Sequence, residues 1–269
     1  MESESIYNDK KTSHTFNFIL NGRWHTGDTP DIPGQLNVEY RMVELTGMNR
    51  HSKVLDFGCG QGLVTYDYHV LSRGAKVCGV TNNSNQLAEA KRLKRNCNCN
   101  SIEFRLISNE RLPFNDSTFD IVACTESLCH LNDNNRMRIF KEFRRVLKPK
   151  GQLILEDWFH HKASSNHADK INKAYGTYLT NTDRYVHELR NAGFTVDHVE
   201  PIKVEWNFNP LTTVCRTAWY QYMYPKLIMK NPFKVNMNLV DKSLIMAGKL
   251  LENPLFYIAI IRAQCQRGE

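Results

Sequence analysis

Along this chain, short apolar runs alternate with stretches whose apolar residues recur at helical spacing. Residues 54–56, 76–80, 102–106, 119–124, 152–155 and 194–199 are compact apolar runs that read as buried strands, and residues 255–261 form a last one. Between them, residues 63–72, 85–94, 134–147 and 183–192 read as helices. Ser84 is the expected N-cap of the second helix, Lys148-Pro149-Lys150-Gly151 the breaker after the third, and Gly193 the stop of the fourth. Strand–helix alternation of this kind predicts an α/β fold: a parallel sheet with helices on both faces.

Upstream, Leu36, Val38, Tyr40, Met42, Val43 and Leu45 have the spacing of a helix that packs on the sheet. Before it, residues 1–15 are polar, and Phe16, Phe18, Ile19, Leu20 and Trp24 read either as an N-terminal lid or as plain core. Residues 203–253 break the alternation and are too long for a simple loop. They carry Trp206, Phe208, Trp219, Tyr220, Tyr222, Met223 and Tyr224, and read as a helical cap, with residues 158–180 as a second part of the same roof.

The chemistry concentrates at Lys53-Val54-Leu55-Asp56-Phe57-Gly58-Cys59-Gly60-Gln61-Gly62. An apolar strand ends in an acid, then in alternate glycines that can turn sharply and admit a ligand close to the backbone. The helix that follows points its N-terminal amides toward that ligand. The spacing is G-x-G-x-G rather than the dinucleotide G-x-G-x-x-G, and the next strand ends in Thr81 rather than in a ribose-binding acid. The loop also lacks the Gly-Lys-Ser/Thr ending of a phosphate-binding P-loop.

This segment resembles motif I of the class I S-adenosylmethionine-dependent methyltransferases. Gly79-Val80-Thr81-Asn82-Asn83-Ser84-Asn85-Gln86, Leu112-Pro113-Phe114 through Phe119-Asp120, Glu126-Ser127-Leu128-Cys129-His130 and Arg145-Val146-Leu147-Lys148-Pro149-Lys150-Gly151 are similar, in order, to later motifs of its small-molecule branch, which includes sterol, tocopherol and cyclopropane-forming enzymes. The likeness covers about residues 35–200. It implies a doubly wound, mostly parallel seven-stranded Rossmann-like sheet with an antiparallel last strand and a helical cap. The domains would be a lid or arm at 1–34, a donor-binding core at 35–202 plus 254–269, and a substrate cap inserted at 203–253.

The resemblance implies S-adenosylmethionine as cofactor, with S-adenosylhomocysteine as product. Asp56 would complement the ammonium of its amino-acid tail, while Gly58, Cys59, Gly60 and Gly62 let tail and ribose come close. Thr81, Asn82 and Gln86 would sit at ribose and tail, Ser108 and Asn109 at adenine, Thr125 at the methionine part, and Gln35 near the donor under the lid. Ser108 stands where many relatives have an aspartate, so its hydroxyl would hold the adenine amine more weakly. Methyl transfer is an in-line displacement that needs alignment more than covalent help. His130 and Glu126, just past the fourth strand, are the candidate catalytic residues if the acceptor must lose a proton, or else they brace the next helix. His160 and His161 read as solvated. The cap aromatics suit a cation, and Arg216, Lys226, Lys230 and Lys234 suit an anionic group.

A length of 269 residues allows one elaborated α/β domain. No apolar run is long enough to span a membrane, and the start lacks the pattern of a secretory signal, which points to a cytoplasmic protein. The eight cysteines then read as reduced thiols, and no metal is expected because Cys97-x-Cys99 has no second pair at zinc-like spacing. The net charge of +7 admits acidic partners, but the basic residues are scattered without an RNA-binding signature. The expected partner is a small, partly apolar acceptor methylated at C, N or O, with no nucleic acid favoured and the oligomeric state left open. The alternatives are an RNA methyltransferase, disfavoured because Ala123-Cys124-Thr125-Glu126-Ser127 lacks an Asn/Asp-Pro-Pro-aromatic motif, and a donor-binding partner protein without catalysis.

Overall fold

The computed structural model describes residues 25, 27, 32–107, 111–202 and 253–266. In chain order the elements are α1 (Ile32–Thr46), β1 (Lys53–Phe57), α2 (Leu63–Leu71), β2 (Lys76–Thr81), α3 (Ser84–Cys97), β3 (Ile102–Leu106), β4 (Phe119–Thr125), a 3-10 turn at Leu128–His130, α4 (Asp133–Val146), β5 (Leu147–His160), α5 (Asn166–Tyr175), α6 (Thr182–Asn191), β6 (Phe194–Ile202) and β7 (Phe256–Cys265). The seven strands form one sheet in the order β3-β2-β1-β4-β5-β7-β6. Pairing is parallel from β3 through β5, and β7 inserts antiparallel between β5 and β6. The expected α/β sheet with an antiparallel last strand is therefore the observed one.

Successive side chains of a strand face opposite sides, and the core divides accordingly. Leu55, Phe57, Val122, Cys124, Leu153 and Leu155 face Phe140 and Phe143 of α4 and Tyr185 and Leu189 of α6. Val54, Ile121, Ala123 and Ile154 face Val38 and Met42 of α1, Val64 and Tyr68 of α2, and Ile171 of α5. A smaller cluster joins Ala90 of α3 to Ile102 and Phe104 of β3 and to Cys59. On the first face, Arg136 is fully buried and held by Glu188 through Nε at 2.6 Å and Nη2 at 2.9 Å.

Some local expectations change. The N-cap of α3 is Asn83, not Ser84: its extended backbone carries Oδ1 over the first turn, where it accepts from the amides of Asn85 at 2.9 Å and Gln86 at 3.2 Å. The breaker after α4 is a bulge inside a longer strand, since Leu147 lies opposite Phe119 and Gln152 opposite Ile121. Residues 158–160 continue β5 rather than starting an insertion, and α5 buries Ala168 and Ile171 beside the sheet. His160 is buried, with Nε2 2.8 Å from His167 Nδ1, because β5 carries it inward; only His161 is exposed. The expected lid segment up to Trp24, the cap at 203–252 with its aromatic and basic residues, and Ser108 and Asn109 lie outside the described residues.

Candidate functional site

β1 and β4 end at nearly the same level of the sheet, and β5 runs past them to His160. Asp56 of β1 lies beside Ala123 of β4, and Thr125 of β4 lies beside Glu156 of β5. By strand alternation, Asp56, Thr125 and Glu156 all share the face covered by α1 and α2. This is also where the chain order of the sheet reverses, between β1 and β4, the position at which open α/β sheets hold ligands.

Asp56 is buried, and its Oδ2 accepts the Thr65 hydroxyl at 2.5 Å. Burial raises its carboxyl to about 7, against the opposing pull of the Thr65 hydrogen bond and of His25. A buried carboxyl poised there can ionise when a cation arrives. The glycine turn divides by role. Gly58 and Cys59 both donate their amides to the Val80 carbonyl at 2.9 Å, and Gly62 donates to Cys59 at 2.9 Å. Their N–H groups thus hold the loop to β2 and close its turn, so the expected approach of a ligand to Gly58 and Gly62 has to rest on shape alone. A Cβ on Gly58 would lie 2.4 Å from the Ser127 Cβ, and one on Gly62 2.5 Å from the Phe104 ring. Both are packing glycines with positive φ. At Gly60, also at positive φ (+51°), a Cβ would meet nothing within 4 Å, so this is the glycine that faces open space. The Cys59 thiol is buried, and its proton is held tightly because the desolvated thiolate would stand near Asp56.

On β2, the Thr81 hydroxyl donates to Gln86 Oε1 at 2.8 Å and accepts the Asn83 amide at 3.2 Å. Thr81 and Gln86 are thereby fixed together at the end of β2, with Asn82 exposed between them. On β4, Thr125 Oγ1 is 2.8 Å from the buried Tyr68 hydroxyl, which ties α2 to the strand end. Gln35 is buried and donates to the His25 carbonyl at 2.6 Å, and His25 Nε2 lies 2.8 Å from Glu39 Oε1. These contacts fasten His25 to α1 and give Gln35 a clamping task.

Glu126 has φ +42°, a left-handed conformation that a residue with a side chain rarely adopts, and its amide donates to the Glu156 carbonyl at 2.9 Å. His130 closes the 3-10 turn with Nδ1 3.1 Å from the Gly176 carbonyl. A carbonyl only accepts, so Nδ1 carries the proton and Nε2 keeps its lone pair. Burial pulls the imidazole below its ordinary value, outweighing Gly176 and Asp157, so it is neutral at pH 7. Asp157, buried on the other face, accepts from Tyr185 at 3.1 Å.

Sequence reading did not single out Thr65, Tyr68, Glu39 or Glu156. Thr65 and Tyr68 follow Asp56 by nine and twelve residues, one and two turns into the helix after the glycines. Glu39 and Glu156 carried a signal in principle, as acids at positions that pattern as buried. Among the described residues no cluster of His, Cys, Asp and Glu could hold a metal ion, and no helix is long and apolar enough to cross a membrane.

With this geometry in place, known proteins show what the chain is similar to. Residues 55–155 match the family described as "Methyltransferase domain". Cycloartenol-C-24-methyltransferase 1 of Oryza sativa subsp. japonica is 30% identical over 181 residues, covering 62% of this chain and 52% of that protein. A Haemonchus contortus phosphoethanolamine N-methyltransferase 2 structure in complex with S-adenosyl-L-methionine superposes with a TM-score of 0.76 at 16% identity, over 99% of this chain and 60% of that one. The structure of the [4+2]-cyclase SpnF superposes with a TM-score of 0.74 at 19% identity, over 99% and 96%. The chain spans about a third to a half of the length of the curated relatives it matches first. Residues 55–155 are thus similar to a methyltransferase domain, and the sheet has the Rossmann-like fold of these methyltransferase structures.

Proposed function

We propose that the protein transfers a methyl group from S-adenosylmethionine to a small, partly apolar metabolite. The observation that carries this reading is Asp56: a buried carboxyl at the end of β1, beside an open glycine turn and the reversal of strand order, inside a stretch similar to a methyltransferase domain. Asp56 would take the ammonium of the donor, and Gly60 would give its tail room. Thr81, Asn82 and Gln86 would line the ribose, and Thr125, held by Tyr68, the methionine part. Ser108 and Asn109 remain the expected adenine contacts. His130, neutral with Nε2 as base, would accept a proton where the acceptor has one to lose, with Glu126 beside it.

Mechanistically, these residues supply position and charge. The donor would supply an activated methyl group, and these residues would hold it in line with the acceptor at a near-attack distance of about 3–3.5 Å. Residues 1–34 and 203–253 would close the site as lid and cap around the core at 35–202 plus 254–269. The test is incubation with donor carrying an isotopically labelled methyl group and a panel of sterols, prenyl compounds and phosphorylated amines. Label in a product heavier by one methylene supports the reading, and a donor recovered intact with every acceptor counts against it. The fold is shared with a [4+2]-cyclase and so does not by itself require methyl transfer; the second reading is a protein that binds the donor without spending it. Binding without label transfer would favour that reading.

A further inference from the structure

Glu156 is fully buried, and neither carboxyl oxygen has a hydrogen-bond partner. An unpartnered buried carboxyl is costly, and an apolar side chain in its place is often neutral or stabilising. The surroundings would accept one: Ile154 two residues earlier on the same face and Ile260, its neighbour on β7, are fully buried aliphatics. Stability therefore gives no reason for an acid here. Burial, then the charges of Glu126, Asp157 and Glu39, push its pKa well above the carboxylate range. The Glu39 carboxylate meets His25, whereas nothing cationic among the described residues meets Glu156.

Its place in the sheet says what would. Asp56 is level with Ala123 and Ile154, so Glu156 stands two residues further toward the strand ends and two strands over. With strands about 5 Å apart, it lies roughly 10 Å along the rim from β1. It is on the same face as Asp56 and Thr125, with Glu126 next to it at the end of β4. A donor seated at β1 and β4 would direct its methyl group toward an acceptor at β4 and β5.

We propose that Glu156, with Glu126 at its edge, forms the seat for the nitrogen of an amine acceptor, which makes the reaction an N-methylation. This rests on the donor-binding reading above. In the step, the nitrogen lone pair forms the N–C bond as the C–S bond breaks, and the electron pair leaves with sulfur as neutral S-adenosylhomocysteine. The positive charge passes from sulfur to nitrogen, and any proton left on the product nitrogen goes to water. Glu156, protonated in the empty site because burial raises its pKa, releases that proton to water as the cation forms, and the carboxylate then favours the charge where it arrives.

The test uses the full chain loaded with S-adenosylhomocysteine, whose retention is measured first. Dimethylaminoethanol, choline and longer dimethylalkylamines are titrated against their uncharged carbon isosteres, such as 3,3-dimethylbutanol. The wild-type protein is expected to prefer amines at least tenfold. Glu156→Gln, which keeps the shape and removes the charge, is expected to abolish that preference without losing S-adenosylhomocysteine and without a lower melting temperature. Equal binding of amines and isosteres, no binding of any amine, or a preference that survives in Glu156→Gln would overturn the proposal. Failure to retain S-adenosylhomocysteine would instead remove the donor-binding reading beneath it.

Discussion

The hydroxyl of Thr65 donates to the buried carboxylate of Asp56 at 2.5 Å, joining the first helical turn after the glycine loop to the end of β1. This bond opposes the desolvation that lifts Asp56 to about 7. Hydrogen bonds to a charged group are worth about 1.5–3 kcal/mol. Thr65→Val is therefore expected to weaken donor binding about tenfold or more at pH 7.5. It should also move the pH at which binding is lost upward. Dissociation constants measured from pH 6 to 9 check both.

Asp56 also sets a stability–function conflict with a definite sign. Its folded carboxyl holds a proton up to about 7, against 3.8 for an ordinary aspartate. Between those values the folded chain binds more protons than the unfolded one, so this group's contribution falls as pH rises through the window. Asp56→Asn removes that loss. The variant should melt higher than the wild type at pH 8, with the gap closing toward pH 4, and should lose the donor. Calorimetric melts across that range test the sign.

The glycines separate packing from binding. Gly62→Ala drives a Cβ into Phe104 at 2.5 Å with φ at +91°, and is expected to cost at least about 1–3 kcal/mol of stability. Gly60→Ala meets nothing within 4 Å at φ +51°. It should cost only about 1 kcal/mol while weakening the donor by a larger factor. Urea unfolding beside donor titration distinguishes the two.

The framework of the fold was legible because a parallel sheet writes itself as apolar runs separated by helices, and Asp56 through Gly62 marks where the order reverses. The site was legible only where a motif concentrates it. Gly58 and Gly62 look like ligand contacts in sequence, yet their amides are taken by Val80 and Cys59. Glu39 and Glu156 are 117 positions apart in the chain and meet only through packing of α1 on β5. Ser84 was a reasonable cap by residue type, but the backbone turns at Asn83, which is equally able to cap. His160 looked solvated because strand ends are hard to place from pattern alone, and β5 runs on to include it.

Away from the site, Arg136 and Glu188 form a buried pair on the α4–α6 face. Glu188→Ala leaves the buried guanidinium only Asp133 and the Leu131 carbonyl as hydrogen-bond partners and is expected to cost about 3 kcal/mol. Donor affinity of the remaining folded protein should be unchanged. Thermal unfolding and titration at low temperature check this.

His130 tests the base. Its imidazole sits below its ordinary value and is neutral at pH 7, so turnover that depends on it should rise as pH increases through the acid range and level off below neutrality. His130→Ala should lower turnover and remove that limb while leaving donor affinity within about twofold. An unchanged pH profile would leave His130 as a brace for the turn through Gly176.

The central claim is that the end of β1 receives S-adenosylmethionine, and titration calorimetry with the donor and with S-adenosylhomocysteine tests it most directly. The expected result is one site per chain in the wild-type protein and none in Asp56→Asn, at a pH where that variant is at least as stable. No binding to the folded wild-type protein, or equal affinity in Asp56→Asn, would contradict it.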